Sequence, residues 1–321
     1  MLRACSIVIP NYNGARLLPR FLPSALLECQ QYPAACEVIV VDDASTDNSV
    51  EILGAHFPEV KLQRHSLNKG FSEAIRSGVN AAEHELVFLL NSDVELLPGS
   101  LSILAGYFEE DRTFAVNPLI LNQDRVLNQS SWTRSRFIHG HLKLLPWDVN
   151  QLPQMKQAGA FPTLYCSGGS VMMRKYMFEE LGGFSELYKP FYYEDFDLGL
   201  RAWYRGWVSH FVPEAEVIHA DKGTIEDHYK SELIKRTQRR NRYKLEWSHF
   251  PLGRLLFSTL PFSLLQLLGE LILLDKKNLL AFRDALGDLR AIRRARQEIK
   301  NSASAGKSLE DIIKLTSQDQ S

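Results

Sequence analysis

The stretch Val38–Ser49, VIVVDDASTDNS, sets a run of β-branched residues against two adjacent carboxylates, a serine and a third carboxylate. A run this short and apolar reads as a strand buried on both faces, the kind found inside parallel sheets. Its carboxyl end opens into a polar loop. In open parallel sheets that edge is where ligands sit, so Asp42, Asp43 and Asp47 are either turn and helix-cap residues or the floor of a crevice.

Outward from this strand the pattern repeats. Strand-like runs occur at Ser6–Pro10, Glu37–Val41, Lys61–His65 and Glu85–Leu90, and helix-like stretches at Ala15–Leu27, Ser49–His56 and Gly70–Glu83 lie between them. That alternation predicts an α/β fold with a mainly parallel sheet flanked by helices. The first strand ends in PNYNG (from Pro10), the second in DDASTD (from Asp42) and the fourth in NSD (from Asn91), so three polar loops fall on one edge. From Pro98 to Thr224 the pattern loosens into short strands, aromatic clusters and a glycine-rich turn; from about His228 the chain reads as helical.

The bulk composition bounds the answer. With 321 residues, a formal charge of −1 and 45% hydrophobic residues, the chain can build a full core without disulfides or structural metal. Near-neutral charge gives no argument for a nucleic-acid partner, although Lys230–Lys244 is locally basic. Cys5, Cys29, Cys36 and Cys166 form no CxxC pair, which predicts free thiols and a reducing compartment. MLRACSIVIP enters a strand at once and leaves no room for a secretory signal, so the expected location is cytoplasmic.

One stretch complicates that expectation. Pro251–Leu274 is the most apolar part of the chain, but Arg254, Pro261, Gln266 and Glu270 interrupt it, and a basic helix-like stretch follows. Polar groups at mid-membrane are costly, so an interfacial anchor on the cytoplasmic face of the inner membrane fits better than a full span or a buried core helix.

Neither GxGxxG after a strand nor GxxxxGK[ST] is present, so a dinucleotide fold and a P-loop are unsupported. A hard cation, Mg²⁺ or Mn²⁺, handles phosphate with one or two carboxylates plus the phosphate oxygens themselves, and Asp93 at a strand end suits that task. The motifs CSIVIPNYNG, VIVVDDASTDNS, NKGFSEA, VFLLNSDVEL, CSGGSVMMRK, LGGFSE, YYEDFDLGLRAWYRGW and VIHADKGT occur in order from Cys5 to Thr224. In succession and spacing this resembles glycosyltransferase family 2, in particular the bacterial surface-polysaccharide enzymes and their rhamnosyltransferase-like members.

The resemblance implies a GT-A-like fold: a nucleotide-sugar-binding half at 1–97, an acceptor-binding and catalytic half at 98–227, and a helical, membrane-associated region at 228–321. It implies that Asp43 accepts the N3–H of a UDP- or dTDP-linked donor, with Pro10, Asn11, Tyr12, Asn68, Gly70 and Ser92 around the nucleotide. Asp93 is the implied metal ligand, with Asn91 standing where another carboxylate often sits, and His219 assists with metal or diphosphate. Lys222 and Thr224 replace the more usual glycine and serine pattern after it.

Asp195 is the implied base on a glycan or lipid-linked acceptor, with Glu194 beside it; one base implies inversion at the anomeric carbon. A neighbouring like charge and burial among aromatics raise a carboxyl pKa toward working pH. Gly168, Gly169 and Trp203 are assigned to donor and acceptor, and Gly182 and Gly183 either approach the donor or serve a tight turn. Competing readings stand beside these: Asp195 and Asp197 pair with Arg201 and Arg205 on a solvated helix face, and His139 and His141 are loop residues. At the level of the whole chain the rivals are a sugar nucleotidyltransferase and a catalytically silent membrane scaffold.

Overall fold

The computed structural model describes residues 1–128, 131–132, 134–220, 230–272, 277–303 and 306–317. Lys222 and Thr224 lie outside the described residues.

β1 (Cys5–Asn11), β2 (Cys36–Asp42) and β4 (Leu86–Leu90) are the apolar runs seen in the sequence, and each is buried along nearly its whole length. Burial on both faces follows from helices on both sides of the sheet. On one face, Leu18, Leu22 and Ala25 of α1 (Leu18–Gln31) pack on Ile7, Ile9, Val38 and Val40. On the other, Ala74, Ile75 and Val79 of α3 (Phe71–Ala81) pack on Val8, Ile39 and Val41. The period-2 alternation of β1 and β2 therefore feeds two cores at once. Gly78 lets α3 come this close, because a Cβ there would sit 2.3 Å from a methyl of Val8.

With β3 (Lys61–Arg64), β5 (Val94–Leu96), β6 (Thr113–Leu121), β10 (Ser170–Arg174) and β11 (Val208–His219), the sheet runs in the order β3-β2-β1-β4-β10-β6-β11-β5, and a short strand Phe161–Pro162 pairs with β11. β3, β2, β1 and β4 are parallel, β10 runs against β4 and β6, and β5 runs against β11. The sheet is thus mixed but parallel where the sequence predicts it, with β1, β2 and β4 all ending at the same edge. Arg174, 2% exposed, ties the antiparallel part together by donating to the carbonyls of Phe108, Glu110 and Thr113 and to Glu85. All four cysteines are free thiols.

α7 (Glu194–Tyr204) and the C-terminal helices share a third core. Phe196, Leu200 and Trp203 of α7 pack with Tyr243, Leu245 and Trp247 of α8 (Ser231–His249), and with Ala281, Ile292, Ile299 and Ile312 of the helices beyond it. Trp203 is therefore a core residue, not a sugar platform: it is 2% exposed and its indole N–H donates to the Thr163 carbonyl. A large aromatic on a helix that must bury one face goes inward first.

Helix α9 (Leu252–Ile272) is a different matter. Most of it is exposed, with Phe257 at 85% and Ile272 at 81%, so it is not the core helix that was one reading of this stretch. Among the described residues it is the one helix long and apolar enough to cross a membrane by length and composition. It is fastened at its start, where Arg254 stacks on Phe137 and Thr259 donates to the Gly140 carbonyl. Both contacts fall on the hairpin Arg134–Ile138 and His141–Leu145, so His141 is a strand residue and not a loop residue. It is buried and bonded through Nδ1 to Glu246.

Candidate active site

The loops after β1, β2 and β3 are knitted to one another by the carboxylates at the end of β2. Asp42 accepts from the Asn11 side-chain amide (3.1 Å) and from the Ser45 N–H (3.2 Å). Asp47 accepts from the N–H of Ala15 across the gap (2.9 Å) as well as from Ser49 (3.0 Å), so it pins the first loop in addition to shaping its own. Asp43 binds the third partner: it accepts from the N–H groups of Lys69 (2.8 Å) and Gly70 (2.7 Å), and from His65 Nδ1 (2.6 Å). His65 is oriented in turn by Ser77, 2.8 Å from its Nε2.

Two residues of this edge carry requirements the sequence reading passed over. Asn11 is 2% exposed, and a Cβ on Gly14 would lie 2.0 Å from its Oδ1, so only glycine fits there. His65 directly follows β3, where a polar residue at a strand end was the available signal. Pro10 and Tyr12 are half-buried on the same loop, whereas Asn68 is exposed.

The NSD loop is joined to the glycine pair. The Asn91 N–H donates to the Gly169 carbonyl (2.9 Å), and a Cβ on Gly169 would sit 2.9 Å from the Asn91 side-chain nitrogen. Next to it, a Cβ on Gly168 would lie 3.9 Å from the Cβ of Asp195 and 3.6 Å from the ring of Phe71, the first residue of α3. The loops bearing Asp43, Asp93 and Asp195 therefore meet through Lys69–Phe71 and Gly168–Gly169. Ser92 borders Gly14, which brings the first and fourth strand ends together.

Asp93 is 3% exposed, and its Oδ1 is a buried oxygen with no hydrogen-bond partner. The antiparallel pairing of β5 with β11 brings His219 beside it, Nε2 to Oδ1 at 3.5 Å. The other ring nitrogen, Nδ1, lies 2.7 Å from the Ala220 carbonyl, which can only accept, so Nδ1 carries a proton and Nε2 is the nitrogen that faces Asp93. A carboxylate oxygen and an imidazole nitrogen facing each other, with the second nitrogen held by a carbonyl, are the donor set and outer support of a metal site. Burial pushes the Asp93 carboxyl up, and His219 pulls against that. Among the described residues no group of three or more His, Cys, Asp or Glu surrounds this point, so two protein ligands are what the described residues offer a hard cation here.

Glu194 and Asp195 begin α7, and the chain reaches them through Tyr192 and Tyr193, both left-handed at φ 70° and 78°. Such backbone costs of order 1–3 kcal/mol per residue and persists only where neighbours hold it. Burial raises the Asp195 carboxyl to about 6, against the pull of the Phe196 and Gly168 N–H groups. Burial, with the Asp195 charge next to it, raises Glu194 to about 8. One oxygen of Glu194 is buried without a partner. Two buried neighbouring carboxyls, both raised, favour holding one negative charge between them over two.

Asp197 is separate from this pair. It meets Arg201 Nε at 2.7 Å and His249 Nε2 at 2.8 Å, and against its burial these partners hold it down at about 2. The Asp197–Arg201 pair anticipated from helical spacing exists, but it is buried and not a solvated face. Arg201 also grips the Leu181 and Gly183 carbonyls, and Gly182 and Gly183 sit at φ 75° and 69° in a tight turn at the end of a short helix. Of the two readings of that glycine pair, the turn is the one observed.

The profile described as Glycosyl transferase family 2 matches residues 6–182, more than half of the sequence. The chain belongs to glycosyltransferase family 2. This family 2 glycosyltransferase is 28% identical over 233 residues to the N-acetylglucosaminyl-diphospho-decaprenol L-rhamnosyltransferase of Mycobacterium tuberculosis, covering 66% of this chain and 75% of that one. It is 32% identical over 138 residues to the undecaprenyl-phosphate 4-deoxy-4-formamido-L-arabinose transferase of Sodalis glossinidius, covering 41% of this chain and 40% of that one. Among solved structures it is similar in fold to GalNAc-T7 with UDP, GalNAc and Mn²⁺, at a TM-score of 0.60 and 20% identity over 78% of this chain and 49% of that one. These are GT-A glycosyltransferase comparisons, and they agree with the mixed sheet described above.

Proposed function

We propose that this glycosyltransferase moves a sugar, with inversion, from a UDP- or dTDP-linked donor to a hydroxyl on a lipid-linked acceptor for cell-surface polysaccharide. The observation that carries the reading is the neighbouring pair of buried carboxyls at the start of α7, both raised by burial and set against Gly168, whose neighbour Gly169 is bonded to the loop of Asp93. A single ionised carboxylate suits a base that takes the acceptor proton during direct displacement. Glu194 stands beside it to bind the acceptor or to raise the pKa of the base.

Asp43 takes the pyrimidine N3–H on the acceptor position that its three present partners leave, a carboxylate having about four. Pro10, Asn11, Tyr12, Asn68, Gly70 and Ser92 line the same edge and surround the nucleotide. Asp93 and His219 would hold Mg²⁺ or Mn²⁺. When bound, the cation supplies Lewis-acid stabilisation of the departing diphosphate. The names of the two relatives support a polyprenyl-linked acceptor and a deoxysugar donor.

The first test is thermal unfolding with UDP, dTDP, GDP and CMP, each with and without Mn²⁺, followed by release of nucleoside diphosphate from the corresponding donors. A ligand selective for the folded state raises stability by RT ln(1 + [L]/Kd), about 2.7 kcal/mol at a hundred times Kd. A Mn²⁺-dependent shift with UDP or dTDP and metal-dependent release are expected. No shift at millimolar nucleotide returns the chain to the scaffold reading.

A lipid-linked acceptor brings α9 into the proposal. Its exposed Phe257, Leu265, Leu268 and Ile272 enter the interface of the cytoplasmic leaflet, and the arginines of Leu289–Ser302 favour anionic lipid. Burying one large apolar side chain is worth about 1.5–3 kcal/mol, so Phe257→Asp with Ile272→Asp is expected to weaken co-sedimentation with phosphatidylglycerol vesicles by at least about tenfold. Both side chains are exposed, so the melting temperature should stay within about 1–2 °C of wild type. Equal vesicle binding by both proteins sinks this part of the reading.

A further inference from the structure

We propose that α8, through the side chain of Asn241, is a working part of the active centre that positions the Glu194–Asp195 pair. The proposal rests on the reading of that pair as the acceptor-activating group.

Asn241 is fully buried. The two N–H groups of its amide face three backbone carbonyls, Tyr188 at 2.7 Å and Phe191 and Tyr192 at 2.9 Å from the nitrogen, so that one N–H is shared, and its oxygen accepts from Arg240 Nε at 3.0 Å. The three carbonyls belong to the segment that leads into α7. One side chain thus gathers that segment from a helix far away in sequence and fixes the point from which the chain enters two successive left-handed residues. Backbone of this kind needs outside support, and here the amide supplies it.

The consequence for the site is geometric. Tyr192 and Tyr193 set the start of α7, and that start decides whether Asp195 packs against Gly168. The far side of the same helical turn is anchored by α8 too, since His249 binds Asp197 at 2.8 Å. α8 therefore holds the entry to α7 and its first turn independently of the sheet edge that bears Asp43 and Asp93. It also lies wholly outside the residues that the family profile matches, so the family match gives no account of it.

Asn241→Asp separates support from packing. It keeps the volume and the acceptor for Arg240 but puts a carboxylate oxygen where the donating nitrogen was. Asn241→Ser, smaller and less disruptive, is the second variant should the first fail to fold. The expected result is a drop of about 10²-fold in nucleoside diphosphate release from UDP- or dTDP-sugars with Mn²⁺. The Mn²⁺-dependent thermal shift by UDP or dTDP alone should stay within a few fold in apparent affinity. Amide exchange over residues 188–198 should quicken about tenfold while β1, β2 and β4 keep their protection.

Unchanged exchange in that segment overturns the proposal, as does a variant that folds and turns over like wild type. Parallel loss of nucleotide binding and turnover also overturns it, by showing a merely structural role. If the wild type itself releases no nucleoside diphosphate, it is the transfer reading that fails, and the exchange experiment still decides whether Asn241 holds the entry to α7.

Discussion

Asp195→Asn is expected to lower sugar transfer by about 10²–10⁴-fold, the usual contribution of a positioned base, with nucleoside diphosphate affinity held within a few fold. The split follows from the connections in the site. Asp43 and the 65–70 loop are held by one another and by the first loop, not by Asp195, so removing the negative charge at 195 leaves the nucleotide wall standing. The wild-type rate should decline as pH falls through about 6, where burial has raised the Asp195 carboxyl; that limb should be absent from the residual activity of the variant. Stability runs the opposite way to activity. A carboxyl whose pKa is raised on folding adds stability below its unfolded value, near 4, and that contribution is lost as pH rises through about 6. Above pH 7 the ionised group is a liability, so the asparagine variant should melt no lower than wild type there. Equal loss of nucleotide binding and turnover removes Asp195 from the role of base.

What the sequence made legible here is what depends on local pattern. The β-branched run before Asp42 marked a strand buried on both faces, and it is one, because helices cover both faces of the sheet. The polar ends of β1, β2 and β4 marked the ligand edge, since a parallel sheet brings those ends together regardless of side-chain detail. The first helix was expected from Ala15 and begins at Leu18, because Gly14 and the three residues after it form the turn that packs on Asn11. Periodicity cannot see such a turn. Trp203 shows the other limit: a Trp beside a carboxylate motif reads the same whether it stacks on a sugar or fills a core, and only the third core decides. Likewise His141 is explained by Glu246 and Tyr192 by Asn241, partners separated by dozens of residues or more. The doublet after Val41 is partly answered by the same logic. Its carboxylates are needed at this edge because three separate loops bring N–H groups there.

The second large effect is expected at Asp93. Asp93→Asn keeps the shape of the side chain, removes the charge and replaces one oxygen of a buried carboxylate whose Oδ1 lacks a hydrogen-bond partner. An unpaired buried polar oxygen costs about 1–3 kcal/mol. In metal-free buffer the variant should therefore melt at or above the wild-type temperature. With Mn²⁺ the order reverses, because one of the two ligands found among the described residues has lost its charge. Changes even to the outer support of a metal ligand weaken binding 10–100-fold, so loss of the carboxylate itself should weaken Mn²⁺ by about 10²-fold or more, read from the Mn²⁺ titration of the UDP- or dTDP-dependent thermal shift. Nucleoside diphosphate release should fall in step with metal occupancy and recover in part at high Mn²⁺, a recovery Asp195→Asn cannot show. That contrast separates the two carboxylates: one acts through a cation that mass action can restore, and the other through a proton that only its own side chain accepts. A Mn²⁺ response in Asp93→Asn equal to that of wild type would show that the orphaned oxygen is a structural defect and that the cation, if the enzyme uses one, is held elsewhere.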